Sequence, residues 1–150
     1  MTTKPKKAAR RAERSRGQNA DPVPPLSWWR NIRAEHFDSS IAKILREHIS
    51  VVAMIGEPAW DAAVAGDAAV AIGLALRLNP DSSTPVIRDL IMTALLACAA
   101  EGDAAACLAM SHALRALPDA GRTEARLATS WLVRNFTKAA RPKIERGNSR

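Results

Sequence analysis

Ile41, Ile44, Leu45, His48, Val51, Val52 and Ile55 recur at the spacing of a helix face. The spacing predicts a helix that Asp38 or Ser39 caps and that Gly56 stops, just past Ile55. Upstream, Ser27 is placed to cap a shorter helix from Trp28 to about Phe37, with Trp28, Trp29, Ile32 and His36 on one side. Downstream, Pro58 suits the first turn of a short helix to Ala65 anchored by Trp60. Asp67 caps the next, from Ala68 to about Leu78. Thr84 and Pro85 then open a long helix to about Ala100. It is apolar nearly all round, so it is expected at the centre. Asp103 caps another to about Leu117, and the last runs from about Arg122 to Ala140, where Pro142 stops it. No segment alternates as a strand would, so the fold class is all-α. The expected form is a bundle of about six to seven helices arranged as antiparallel hairpins.

Two phrases recur inside this pattern. "ALRLNPD" starts at Ala75 and "ALRALPD" at Ala113, and each follows its own Gly-Asp pair, Gly66-Asp67 or Gly102-Asp103. Each unit reads helix, Gly-Asp turn, helix, Pro-Asp break. Glycine relieves the steric penalty of the reversal, aspartate caps the next helix, and proline cannot continue one. A period of this size with this grammar is that of helix-turn-helix repeats.

"GDAAVAIGLALRLNPD" (Gly66 to Asp81) resembles the second half of a tetratricopeptide repeat, and "AAEGDAAACLA" (Ala99 to Ala109) resembles its Sel1-like relative. Ala106, Ala113 and Pro118 fall at that family's small-small-Pro spacing. The likeness covers residues 58–119 and lacks the large aromatics of the family's first helix. It implies a helical-hairpin scaffold that binds proteins or peptides. It carries over no catalytic residue.

Composition changes the picture of the core. Apolar residues make up 47% of the chain and aromatics only 4%, with alanine dominant. Such a core relies on close helix approach, with Trp28, Trp29, Trp60, Trp131, Phe37 and Phe136 carrying much of the packing.

Charge changes the picture of function. Residues 1–20 hold seven basic side chains against one acidic, and residues 134–150 hold six against one. Residues 21–133 hold nine basic and thirteen acidic, within a total of +7. Residues 1–25 lack apolar periodicity and end in "ADPVPP". They are expected to form a disordered basic tail and Pro-rich linker ahead of a single helical domain over 26–141 and a frayed end over 142–150.

Lys4, Lys6, Lys7, Arg10, Arg11, Arg14 and Arg16 are candidate contacts to an acidic partner, with nucleic acid the foremost kind. The last helix adds to them. At 100° per residue, Ala125, Ala128, Trp131, Leu132, Phe136 and Ala139 share one face, and Arg126, Arg134, Lys138 and Arg141 lie opposite. The apolar face is expected to pack on the body and leave a basic ridge outside. Complementing the helix dipole is the simpler account of those late charges. Trp28 and Trp29 beside Arg30 and Arg33 form a possible stacking or interface surface, with at least one tryptophan at a boundary.

Other chemistry is sparse. His36, His48 and His112 lack zinc-ligand spacing and read as packing or surface residues. Cys98 and Cys107 form no CxxC pair and read as small core hydrophobes. No GxSxG, P-loop or Rossmann glycine pattern occurs. No cofactor, metal or catalytic residue is expected. The basic N-terminus leads into polar sequence rather than an apolar stretch, so a cytoplasmic location is expected, with no membrane span. The sequence therefore points to a non-enzymatic interaction or adaptor protein, with a protein partner and basic ends that engage an acidic one. The alternative is a small DNA- or RNA-binding accessory factor that uses those ends as its main site.

Overall fold

Every residue from Leu90 to Ala100 is buried, and the other elements are arranged around that run. The computed structural model describes residues 23–79 and 81–139, and at 138 and 139 the backbone alone. Two 3-10 turns come first, Pro25–Arg30 and Ala34–His36. Six α-helices follow: α1 (Ser39–Ser50), α2 (Trp60–Ala65), α3 (Ala68–Leu76), α4 (Pro85–Glu101), α5 (Ala104–Arg115) and α6 (Arg122–Ala139). Among the described residues there is no strand, and the all-α class is as expected.

The apolar α4 takes the central place. It is packed by α1, α3, α5 and the first 3-10 turn, while α6 lies on α5 and against the second 3-10 turn. Small side chains let these helices approach closely. Ala42, Ala71, Ala94, Ala97, Ala99 and Ala106 are all buried to the limit of access or nearly so. Trp29, Trp60 and Trp131 fill the larger gaps, and the Phe37 ring stacks on Trp131 at 5.6 Å between centroids.

The repeated Gly-Asp pairs build matching turns. Gly66 (φ 103°, ψ 17°) and Gly102 (φ 97°, ψ 25°) adopt the left-handed conformation that L side chains avoid. In each turn the glycine N–H donates three residues back, and the aspartate N–H donates five back. The two aspartates then cap α3 and α5, Asp67 accepting from Val70 N–H at 3.0 Å and Asp103 from Ala106 N–H at 2.7 Å. The two hairpin exits come together as well. Ala75, Leu76 and Leu78 from one phrase and Ala113, Ala116 and Leu117 from the other line a small crevice of about 90 Å³.

Five expected boundaries differ, one of them the start of α2, which begins at Trp60 after an Ala59 N-cap rather than at Pro58. The Trp28–Phe37 segment is two 3-10 turns rather than one helix, because its backbone polar groups are engaged from afar. Ala34 N–H donates to Ser130 Oγ at 3.0 Å, and the Ala34 and Phe37 carbonyls accept from Arg134. Helix α1 ends at Ser50 rather than near Ile55. The Trp60 indole takes the Val52 carbonyl at 2.7 Å, and Val51 and Ile55 are left exposed rather than on a buried face. Helix α3 ends at Leu76 rather than near Leu78, with Arg77 at its C-cap. Helix α5 stops at Arg115, two residues before Leu117.

A basic groove as candidate functional site

Ala34 is fully buried and tied to α6 through both of its backbone polar groups. That anchoring leaves its neighbours, Arg33 and Glu35, on the outside, where both are exposed. Opposite them lies the outer face of α6. Between the two elements runs an open groove of about 760 Å³, lined by Arg33, Glu35, Arg122, Arg126, Thr129 and Val133 among others.

Its charges are unequally engaged. Arg33 Nε meets Glu35 Oε1 at 2.9 Å, a pair open to solvent and weakly held. Arg122 and Arg126 have no ion-pair partner among the described residues. Arg122 occupies the first turn of α6, where the helix dipole disfavours a cation, so helix stability gives no reason for it. The start of α6 is held instead by Glu124, whose Oε2 accepts the Gly121 N–H at 2.9 Å. That hydrogen bond lowers the Glu124 pKa below its ordinary value. The groove hydroxyls are committed within the helix. Thr129 donates to the Ala125 carbonyl at 2.8 Å and Ser130 to that of Leu127 at 2.7 Å. The guanidinium groups are thus the groove's available donors.

Helix α6 is rotated from the expected orientation by roughly a quarter-turn. Leu127, Ala128, Ser130 and Trp131 face inward, whereas Ala125 and Phe136 are exposed, Phe136 at 66%. Arg134 is correspondingly turned in and is not part of an outer ridge. Its guanidinium donates to the carbonyls of Ala34 (2.5 Å), Phe37 (2.6 Å) and Ala100 (2.8 Å). It also lies 5.5 Å from the Trp131 ring centre. An arginine fork that satisfies three carbonyls and stacks on an indole outweighs the preference for water.

The other candidate residues separate. Arg33 and Arg126 meet in the groove. Trp29 is buried and offers no ring face for stacking, its Nε1 donating to Asp89 Oδ1 at 3.1 Å. Arg30 pairs with the second oxygen of the same Asp89 at 3.1 Å. Trp28 is half-buried, its Nε1 donating to the Val23 carbonyl at 2.7 Å. Lys4, Lys6, Lys7, Arg10, Arg11, Arg14, Arg16, Arg141 and the side chain of Lys138 lie outside the described residues. Arg122 and Phe136 are the site residues that sequence reading passed over. The signal for them was present: Arg122, Arg126, Thr129, Val133 and Phe136 are spaced four, three, four and three apart, one stripe of a helix.

His36, His48 and His112 are all exposed. Cys98 and Cys107 are buried, and burial pushes the Cys98 thiol pKa up. Among the described residues no three His, Cys, Asp or Glu converge as metal ligands would, and no helix is long and apolar enough to cross a membrane. No family model, curated protein or solved structure matches the chain.

Proposed function

We propose that this chain acts by binding rather than by catalysis, as a helical interaction protein whose basic groove and basic ends engage an acidic partner. The observation that carries the reading is the pair Arg122 and Arg126, aligned one turn apart in a groove, with no carboxylate partner among the described residues. The matched Gly66 and Gly102 hairpins supply the scaffold, in keeping with the tetratricopeptide-like resemblance of residues 58–119. Two buried cysteines outside any CxxC pair fit work in a reducing compartment, the cytoplasm.

Titration of the full chain against polyglutamate and against an oligonucleotide, at several salt concentrations, tests the reading. The double variant Arg122→Ala, Arg126→Ala is expected to bind the preferred polyanion several-fold more weakly with unchanged stability. Unchanged affinity for both polymers would remove the groove from the function.

A further inference from the structure

The chain's four tryptophans and two phenylalanines are not treated alike. Trp29, Phe37, Trp60 and Trp131 are buried and Trp28 is half-buried, but Phe136 stands 66% exposed. Val133, one turn before it, is 54% exposed and also lines the basic groove. The outer stripe of α6 therefore begins with two guanidinium groups, Arg122 and Arg126, and ends in an exposed apolar side chain and an aromatic ring.

We infer that this stripe binds single-stranded nucleic acid, with Arg122 and Arg126 on backbone phosphates and Phe136 as a platform for an unpaired base. The inference rests on the groove reading above and names its partner. Cations that follow a backbone, joined to an aromatic on which bases stack, are the chemistry of single-strand binding without sequence reading. Arginine adds to this, since its planar fork matches phosphate and also stacks. A duplex would use only the charges, because its bases are already stacked and none is free to meet Phe136. An acidic amphipathic helix fits less well. Such a partner needs apolar anchors repeated over several turns, and here Val133 and Phe136 supply one turn at one end.

The experiment uses the full chain with three fluorescent probes: a single-stranded oligonucleotide, the duplex of the same sequence, and polyglutamate of matched charge. Variants are Phe136→Ala, Phe136→Leu, and Arg122→Ala with Arg126→Ala, each checked for helix content. The single strand is expected to bind tightest. Phe136→Ala is expected to weaken it about tenfold, with duplex and polyglutamate binding unchanged. Phe136→Leu keeps apolar bulk without a ring, so it is expected to behave like the alanine variant. If Phe136→Ala leaves single-strand affinity unchanged while the arginine variant weakens any polymer, the groove reading stands and the single-strand inference falls. The inference also falls if polyglutamate or duplex binds tightest. If neither variant changes any affinity, both readings fall.

Discussion

The Arg134 guanidinium lies 5.5 Å over the ring of Trp131, three residues earlier on the same helix, and spends its hydrogen bonds on backbone carbonyls. Those carbonyls belong to Ala34, Phe37 and Ala100, so one side chain joins α6 to the second 3-10 turn, to its C-cap Phe37 just ahead of the Asp38 cap of α1, and to the end of α4. Arg134→Ala would remove three hydrogen bonds from part-buried carbonyls, with Ala34 keeping the Phe37 N–H, and is expected to destabilise the fold by about 3 kcal/mol. Arg134→Lys keeps the charge but cannot reach all three, and about half that loss is expected. Urea unfolding measures both. Through Ala34 the clamp also holds the groove wall that carries Arg33 and Glu35, so the folded fraction of Arg134→Ala is expected to bind an acidic polymer more weakly.

The two hairpin turns share a backbone shape, and at Gly66 a neighbouring side chain adds to it. A Cβ at Gly66 would come within 2.7 Å of the Arg46 guanidinium, which is itself held in a two-point pair by Glu101. Gly102→Ala is expected to cost about 1 kcal/mol through backbone strain. Gly66→Ala is expected to cost about 1 kcal/mol more, because Arg46 must leave Glu101 to make room. With Glu101→Gln already in place Arg46 is freer to move, so the excess is expected to shrink. A double-mutant cycle by chemical denaturation reads that coupling directly.

Acid sensitivity follows from the helix caps. Asp38 has its pKa lowered below 3.8, first by the Ser40 hydroxyl and then by the Ile41 N–H, and Glu124 is lowered below 4.5 by the Gly121 N–H. A carboxylate with a depressed folded-state pKa stabilises the fold above its ordinary value, and the contribution is lost as pH falls through the folded value. The urea midpoint contribution of these caps is thus constant from about pH 7 to about pH 5 and lost in the acid range below that. Asp38→Asn retains a capping oxygen without the titrating charge, so its midpoint is expected to fall less steeply with acid than that of the unaltered chain. An equal fall in both would show that the Asp38 cap contributes nothing to acid unfolding.

Local chemistry was legible in the sequence and distant chemistry was not. Gly66, Asp67, Gly102, Asp103, Thr84 and Pro85 set turns and caps through neighbours a few residues away, and the helix starts follow them closely. The orientation of α6 depends on something else. Arg134 turns inward because the carbonyls 100 and 97 positions earlier accept its guanidinium, and no periodicity in residues 122–140 reports that. The same event breaks the expected Trp28–Phe37 helix, so the two departures have one cause. Phe136 falls on the expected apolar face by helical spacing as well as by residue type. Its exposure emerges only once Arg134, two positions earlier and on the opposite side, has taken the inner place.

Under the proposed function the basic N-terminal segment and the groove would make separable contributions to polyanion binding, and salt dependence tests both. Each phosphate neutralised on a single strand steepens the log-log salt slope by about 0.7. Removing residues 1–20 takes away seven basic side chains, so the slope is expected to become shallower by at most about 5. Arg122→Ala with Arg126→Ala removes two and is expected to reduce it by about 1.4. The segment acts through charge alone, so its deletion is expected to weaken single strand and duplex to similar extents. Phe136 lies further along the same α6 stripe as the groove arginines, so the preference for single strand over duplex is expected to survive that deletion and to fall with Phe136→Ala. A preference lost with the first twenty residues would transfer single-strand recognition from α6 to that segment.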